Sequence, residues 1–183
     1  MSAAESFELA DGVMERLAST DRPQPNIALV AIPDRGVDLA AVSHLVILDR
    51  LNDPGNLGTI LRSAEASGAD AIVLTPGSVD PYNPKVVRAS AGALFHVPVI
   101  EATLADVAGH GIRLVGTSSH RGTSHTAFDW SGRIGIVLGS EAHGLDEDAP
   151  VDDWVRIDHR GRAESLNVAM AATLLVFQAF SGT

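Results

Sequence analysis

The 183-residue sequence contains no cysteine and a single lysine, Lys85, and aromatic residues make up only 4% of it. Without cysteine the chain has no disulfide framework, no thiolate zinc site, no iron–sulfur cluster and no cysteine nucleophile. No apolar run approaches the roughly 20 residues that a membrane-spanning helix needs. The first residues lack the basic and apolar regions of a signal peptide. We therefore expect a soluble, cytoplasmic protein without a membrane partner.

The composition is that of a globular protein with an acidic surface. Hydrophobic residues make up 45% and charged residues 20% of the chain, which is enough to fill one core and excludes a disordered or fibrous protein. The net charge of −10 argues against nonspecific adhesion to nucleic acid but does not exclude a local basic site. The seven histidines show no metal-ligand spacing, so we expect no metal.

Short apolar runs recur along the chain and have the length of buried strands. Helix-like stretches separate several of these runs, and this alternation indicates an α/β fold with a mostly parallel sheet and helices on both faces. The predicted strands are Ile27–Ile32, Leu45–Leu48, Ala71–Leu74, His96–Ile100, Arg113–Gly116, Ile134–Leu138 and Trp154–Ile157. The predicted helices are Phe7–Leu17, Leu57–Ser67, Pro84–Ala93, Leu104–Ala108 and Glu164–Phe180.

We divide the chain into two parts at residue 36. Residues 1–36 contain the first helix and the first strand and form an appendage, with prolines at 23 and 25 between these two elements. Residues 37–183 contain no linker, repeat or low-complexity tract and are expected to form one compact domain.

The loop after the strand Leu45–Leu48 is the first candidate site segment. Asp53-Pro-Gly is turn chemistry, and Asn56 is well placed to cap the following helix, which contains Arg62. Ligands of a parallel sheet collect at the carboxyl ends of its strands, so Asn56 and Arg62 are candidates to border one pocket. The alternative is that Asn56 is only a cap and Arg62 only a solvated helix residue.

A glycine-bounded loop, Gly139-Ser-Glu-Ala-His-Gly144, follows the strand Ile134–Leu138. Glycines allow the backbone to approach a ligand closely, and the loop lacks the lysine of a nucleotide P-loop. Glu141 is therefore a candidate site residue. The alternative is a carboxylate at a helix start.

Polar residues crowd the start of the last predicted helix, whose remainder is almost wholly apolar. Glu164, Ser165 and Asn167 precede the run from Val168 to Phe180. The free N–H groups of a buried helix start can bind a ligand carboxylate. The alternative is a capping arrangement without a ligand.

Taken together and in this order, the three segments resemble the three motifs of the SpoU (TrmH) family of SPOUT RNA methyltransferases. The matching residues are Asn56-Leu-Gly…Arg62, Leu138-Gly-Ser-Glu141…Gly144-Leu and Ser165-Leu-Asn167. Residues 80–95 also resemble the branch that contains ribosomal-RNA ribose methyltransferases, including thiostrepton-resistance enzymes.

The resemblance implies a C-terminal deep trefoil knot that binds S-adenosylmethionine. It also implies a homodimer that methylates a ribose 2′-hydroxyl in structured RNA. Ribosomal RNA is the first expected substrate and transfer RNA the second, and no DNA partner is expected. The resemblance implies that the catalytic residues are Arg62, Asn56, Glu141, Ser165 and Asn167. It implies that the cofactor-binding residues are Thr117, Leu138, Gly139, Gly144, Ile157, Leu166 and Asn167. The RNA-binding residues are expected to be Arg62, Arg88, Arg160 and Arg162, within a basic face that also includes Arg50, Arg121 and Arg156.

The implied role of Arg62 is to position the ribose and an adjacent phosphate. General-base catalysis by Arg62 is the alternative role, and it conflicts with the rule that a guanidinium stays protonated in proteins. The chain departs from the family pattern at Asp158-His-Arg-Gly161, where relatives commonly have a short hydrophobic segment.

We interpret residues 1–36 as the remnant of a substrate-binding domain or as a dimer element, because larger relatives carry an N-terminal RNA-binding domain. Two other functions stay open at this point. One is a noncatalytic knot domain that binds cofactor or a partner, and the other is a methyltransferase of small molecules.

Overall fold

The computed structural model describes residues 6–18, 24–32, 36–162 and 164–180. Its residues form two compact units, 1–33 and 34–183. In the first unit, a helix α1 covers Val13–Leu17 only, because Gly12 adopts a left-handed conformation with φ 75° and interrupts the predicted helix Phe7–Leu17.

The predicted strand Ile27–Ile32 is wrong. Residues 24–32 contain no strand, and the side chains of Ile27, Leu29 and Ile32 are exposed. An apolar run becomes a strand only where a neighbouring strand satisfies its backbone groups, and this segment pairs with none of the described residues. The interpretation of residues 1–36 as a remnant of a substrate-binding domain stays a prediction.

A single seven-stranded sheet forms the second unit, and all of its pairings are parallel, in the order β3-β2-β1-β6-β4-β7-β5. The predicted α/β class is confirmed, whereas the threading of the knot stays a prediction. The strands are β1 (His44–Leu48), β2 (Ala71–Leu74), β3 (Val99–Glu101), β4 (Arg113–Ser118), β5 (Thr123–Ser124), β6 (Ile134–Leu138) and β7 (Asp153–Arg156).

Strand β3 starts later than the prediction of His96–Ile100. A short 3₁₀ turn, Ala93–Phe95, precedes it, and the backbone N–H groups of His96 and Val97 both donate to the carbonyl of Ala93. Those N–H groups are used inside the turn, and Pro98 has none, so pairing begins only at Val99.

Four helices connect or cover the strands: α2 (Pro54–Ser67), α3 (Pro84–Ala89), α4 (Leu104–Ala108) and α5 (Val168–Phe180). Asp53, not Asn56, caps α2, since its carboxylate accepts a hydrogen bond of 2.8 Å from the backbone N–H of Asn56. The predicted cap at Asn56 is therefore wrong, and its side chain is available for another role.

Helices α3 and α5 are shorter than predicted. Ala91 and Gly92 have φ of 48° and 97°, so α3 does not continue to Ala93. Helix α5 begins at Val168 instead of Glu164, because the side-chain oxygen of Asn167 accepts from the backbone N–H groups of Ala169 and Met170 and fixes the first turn there.

Both faces of the sheet are buried. Along β1, Val46 and Leu48 belong to the core beneath α2, α3 and α5, whereas Leu45 and Ile47 belong to the core on the α4 side. This alternation is the period of two of a strand, and it explains why the strands read as unbroken apolar runs. Within the described residues, no helix is long and apolar enough to cross a membrane.

Gly58 brings α2 close to α3, and we predict that Gly58→Ala destabilises the protein. A Cβ at residue 58 would lie 2.3 Å from the Cβ and 2.8 Å from the backbone carbon of Ala89, so the helices must separate. Overpacking outweighs the better helix propensity of alanine, and we expect a loss of about 1–2 kcal/mol in the free energy of unfolding, measured by urea denaturation. Thr59→Ala, at an exposed position of the same helix, is the control, and equal stability of the two variants would contradict the packing argument.

Candidate active site

Three loops meet at the carboxyl edge of the sheet. Strands β1 and β6 are neighbours and end in register at Leu48 and Leu138, so the loops that follow them start side by side. The backbone N–H of Asp49 donates to the carbonyl of Leu138 over 2.8 Å, which ties the two loops at their origin. The third loop connects β7 to α5.

The Glu141 carboxylate joins the β6 loop to the β1 loop. Oε1 accepts from the backbone N–H of Asp53 at 3.1 Å and from the Asn56 amide at 2.9 Å, and Oε2 accepts from the backbone N–H of Asn52 at 3.3 Å. Partial burial raises the pKa of Glu141, but the hydrogen bonds from Asn56 and the backbone outweigh it. The pKa therefore lies below its ordinary value, and the group is an anion at neutral pH.

Asn56 is hydrogen-bonded both to Glu141 and to the third loop. Its Nδ2 donates to Glu141, and its Oδ1 accepts from Nδ2 of Asn167 at 3.0 Å. The Oδ1 of Asn167 caps α5, so both polar atoms of that side chain are used. The structure thus brings together Asn56, Glu141 and Asn167, one residue from each candidate segment, in a single hydrogen-bonded chain.

The β6 loop turns back on itself through two glycines. A Cβ on Gly139 would lie 2.0 Å from the backbone carbon of Gly144, and Gly144 has a positive φ of 69°. The N–H of Gly144 donates to the carbonyl of Ser140 over 2.8 Å. Glycine is therefore required at residue 139 by contact of backbone with backbone and favoured at residue 144 by its left-handed conformation, and the tight turn orients Glu141 toward α2.

Next to this chain lies a cavity of about 790 Å³, a size typical of small-molecule sites. Its lining includes apolar side chains, such as Leu138, Val155 and Leu175, together with polar ones. All seven predicted cofactor-binding residues contribute to its wall: Thr117, Leu138, Gly139, Gly144, Ile157, Leu166 and Asn167. Glu141 and Ser165, which we predict to be catalytic, also line it.

Two of the predicted catalytic residues, Asn56 and Arg62, do not line this cavity. Asn56 is hydrogen-bonded to two residues that do, whereas Arg62 lies elsewhere. Arg62 is exposed and borders a separate groove of about 480 Å³ between α2 and α5, which Ser63 and Phe177 also line. Within the described part of the chain, its guanidinium has no hydrogen-bond or ion-pair partner. The expectation that Asn56 and Arg62 border one pocket is thus not met in this chain.

The predicted basic face is only partly available. Arg50 donates to the carboxylates of Asp49 and Asp146, and Arg156 donates to Asp158, so these two charges are locally balanced. Arg88, Arg160 and Arg162 are exposed, like Arg62.

Two features of the site were not predicted from the sequence. One is the pair of backbone N–H groups of Asn52 and Asp53 that hold Glu141, since main-chain donors leave no sequence signal. The other is the place of Arg121 in the loop after β4: it was expected in the basic face, but it joins the cavity wall and stacks on Trp154. The rule that ligands bind at the carboxyl ends of parallel strands also applies to that loop.

A sequence model described as the SpoU rRNA Methylase family matches residues 43–177. The chain is 32% identical over 179 residues to the 23S rRNA (guanosine(2553)-2′-O)-methyltransferase RlmP of Bacillus subtilis, a match that covers 93% of this chain and 71% of that protein. It is 34% identical to the 23S rRNA (uridine(2479)-2′-O)-methyltransferase of Streptomyces viridochromogenes, covering 92% of this chain and 64% of that protein.

Solved structures agree with this result. The SpoU methyltransferase AviRb from Streptomyces viridochromogenes, in complex with AdoMet, superposes with a TM-score of 0.84 at 31% identity and covers 96% of this chain and 72% of AviRb. An AdoMet-bound rRNA methyltransferase from Sinorhizobium meliloti gives a TM-score of 0.72 at 32% identity, with 79% of this chain and 60% of that one covered. With the family model matched over residues 43–177, the fold shared and the three motif residues joined in one network, the chain belongs to the SpoU rRNA methylase family.

Proposed function

We propose that the protein transfers a methyl group from S-adenosylmethionine to a ribose 2′-hydroxyl in ribosomal RNA. The observation that carries the proposal is the Asn56–Glu141–Asn167 chain, two members of which line the cavity. Family membership and relatives named as 23S rRNA 2′-O-methyltransferases support the same reaction. The acidic composition left room for a small-molecule substrate, but none of these comparisons favours one.

The cavity suits this cofactor. An apolar interior accepts a nucleobase, and the backbone groups of the β6 loop and of the loop before α5 are available as hydrogen-bond partners. His159 lies in the cavity wall, and its ring nitrogen Nε2 is buried without a hydrogen-bond partner among the described residues. Buried polar atoms are normally hydrogen-bonded, so a bound ligand would supply the partner of this nitrogen. Thr117, Gly139, Ile157 and Leu166 would hold the cofactor, which supplies a methyl group already activated on a sulfonium.

The polar chain beside the cavity positions the reacting ribose. Glu141 is fixed by its hydrogen bonds and in turn orients the Asn56 amide, so neither side chain has to reorganise when the substrate arrives. Ser165 and Asn167 shape the neighbouring wall. When the ribose oxygen takes the methyl group, the bond between that group and the sulfonium would break, the cofactor would leave as a neutral thioether, and the hydroxyl proton would pass to solvent water. Arg62 would position the ribose and its phosphate for this step.

We propose a homodimer in which Arg62 serves the cavity of the partner. On α5 the side chains of Met170, Leu174 and Phe177 are 63%, 48% and 43% exposed and form one apolar stripe. Phe177 also lines the groove that contains Arg62. A partner packed on this stripe would lie against Arg62, whereas the cavity of the same subunit does not include it.

The proposed RNA-binding surface is a small basic patch on an otherwise acidic protein. Arg160 and Arg162 lie between β7 and α5, in the segment that also carries the cavity residues Glu164 and Ser165. Phosphate contacts by these exposed arginines would supply affinity that the acidic remainder of the protein does not.

The first prediction concerns the reaction itself. Calorimetric titration with S-adenosylmethionine is expected to show saturable binding near one cofactor per subunit, because all the predicted cofactor-binding residues line the same cavity. Incubation with labelled cofactor and unmodified 23S ribosomal RNA should place the label on a ribose 2′-oxygen, located by nuclease digestion and mass spectrometry. Label that appears on a base or in small molecules would contradict the proposed substrate.

The second prediction separates catalysis from cofactor binding. Arg62→Ala should lower the methylation rate at least about 100-fold, because the variant loses the group that positions the ribose. The dissociation constant for S-adenosylmethionine should change less than about twofold, because Arg62 lies outside the cavity. Arg113→Ala is the control, since Arg113 lies outside both the cavity and the groove. Normal turnover by Arg62→Ala would refute this role.

The third prediction tests the shared site. Arg62→Ala and Glu141→Ala subunits, co-expressed with different affinity tags, can be purified as mixed dimers. If Arg62 acts in the partner's cavity, one of the two sites is intact, and activity should be about half that of the wild type. Mixed dimers as inactive as either parent would show that Arg62 acts within its own subunit.

A further inference from the structure

Arg121 is a cation in the cavity wall that the proposed reaction has not yet used. Among the described residues that line the cavity, it is the only arginine or lysine. The guanidinium carbon lies 3.5 Å from the centre of the Trp154 ring, and Nη2 donates to the carbonyl of Glu147 over 2.6 Å. The side chain is half-buried between these two contacts.

The loop that carries Arg121 is held rigidly against β7. The backbone N–H groups of His120 and Arg121 both donate to the Ser118 hydroxyl, at 3.2 and 3.3 Å. The next residue, Gly122, has a φ of 98°, and a Cβ there would lie 2.2 Å from the carbonyl oxygen of Trp154. The backbone therefore lies directly on the strand that supplies the stacking ring, and the guanidinium is fixed before any ligand arrives.

Arg121 differs from two other half-buried arginines, Arg113 and Arg133, in the number of N–H groups that it has left to donate. Arg113 also stacks on an aromatic ring, at 4.8 Å from the centre of Phe128, but its Nε donates to the carboxylate of Asp153. Arg133 uses Nε, Nη1 and Nη2 on three backbone carbonyls. Arg121 makes one side-chain hydrogen bond to the described residues and pairs with none of their carboxylates. Four of the five N–H donors of a guanidinium thus remain for a ligand.

The complementary group is a carboxylate. A planar guanidinium with free parallel N–H groups binds a carboxylate in a bidentate manner, and burial against Trp154 strengthens such a pair. S-adenosylmethionine carries one negative group, the carboxylate of its methionine part, together with a positive sulfonium and a positive ammonium. Those positive groups have acidic neighbours in the cavity wall, Glu141, Glu147 and Glu164.

We propose that Arg121 binds the methionine carboxylate of the cofactor. The inference rests on the proposed function, since it assigns a part of the same cofactor to a particular side chain. It also sets specificity: ligands that lack the carboxylate gain nothing from Arg121.

The test is a thermodynamic cycle measured by calorimetry without RNA, so that its readout is binding and not turnover. The wild type and Arg121→Gln are titrated with S-adenosylmethionine and with its decarboxylated form, which lacks only the carboxylate. For the wild type, loss of the carboxylate should weaken binding about 10- to 100-fold, the range of a charge-assisted hydrogen bond. Arg121→Gln should bind S-adenosylmethionine weaker by a similar factor and should not discriminate between the two ligands.

Matched controls separate this role from a structural one. Arg113→Gln removes a stacked arginine outside the cavity and should leave both affinities unchanged. Binding of 5′-methylthioadenosine, which lacks the whole amino-acid part, should be the same for the wild type and Arg121→Gln, which shows that the adenosine pocket is intact.

The outcomes are distinct. Equal losses of affinity for all three ligands in Arg121→Gln mean that Arg121 only braces the loop against Trp154, and unchanged affinities mean that the carboxylate binds elsewhere. Either result overturns the assignment while the proposed function stands. A folded wild type that binds neither S-adenosylmethionine nor 5′-methylthioadenosine overturns the proposed function and the assignment together.

Discussion

A single carboxylate, that of Glu141, holds the candidate active site together. It accepts hydrogen bonds from two backbone N–H groups of the loop after β1 and from the amide of Asn56. Asn56 in turn accepts a hydrogen bond from Asn167 at the start of α5. These three segments are far apart in sequence. The first two meet because β1 and β6 are neighbours in the sheet, and the third joins them through the contact of Asn167 with Asn56. An anion bound by several donors keeps its charge when partly buried, and the lowered pKa of Glu141 reflects this.

The site also shares its residues with the fold. Asn167 caps α5 with its oxygen and contacts Asn56 with its nitrogen, so one side chain sets both the start of a core helix and the geometry of the cavity wall. Backbone contact requires glycine at Gly139 and a left-handed conformation favours it at Gly144, and the two glycines also give the turn that directs Glu141. The sequence left open whether Asn167 caps the helix or belongs to a site; the structure shows that the two alternatives do not exclude each other, because the capping side chain also lines the cavity.

Most of the second unit was predictable because its strands are buried on both faces and read as apolar runs; β1, β2 and β6 are the clearest cases. The errors have local causes. Asp53 and Asn56 are both good capping residues, and only the backbone geometry selects Asp53. Residues 27–32 have strand composition but no neighbour to pair with among the described residues, and no sequence pattern reports a missing partner. The motif residues were identified by resemblance; their connection through Asn56 and the separate location of Arg62 required coordinates.

The parallel arrangement of α2 and α5 makes the candidate cavity depend on contacts between distant parts of the chain. Asn56 contacts Asn167 near the start of both helices, and the Ser63 hydroxyl contacts the Thr173 hydroxyl further along, so a helix early in the domain packs along one that comes more than a hundred residues later. Closing a loop of this length costs conformational entropy, as it does for the pairing of β1 with β6. Because α5 contributes Leu175 to the cavity wall, the cavity is complete only when this helix is docked. Binding of a ligand there would therefore report that the domain has folded through to its last helix.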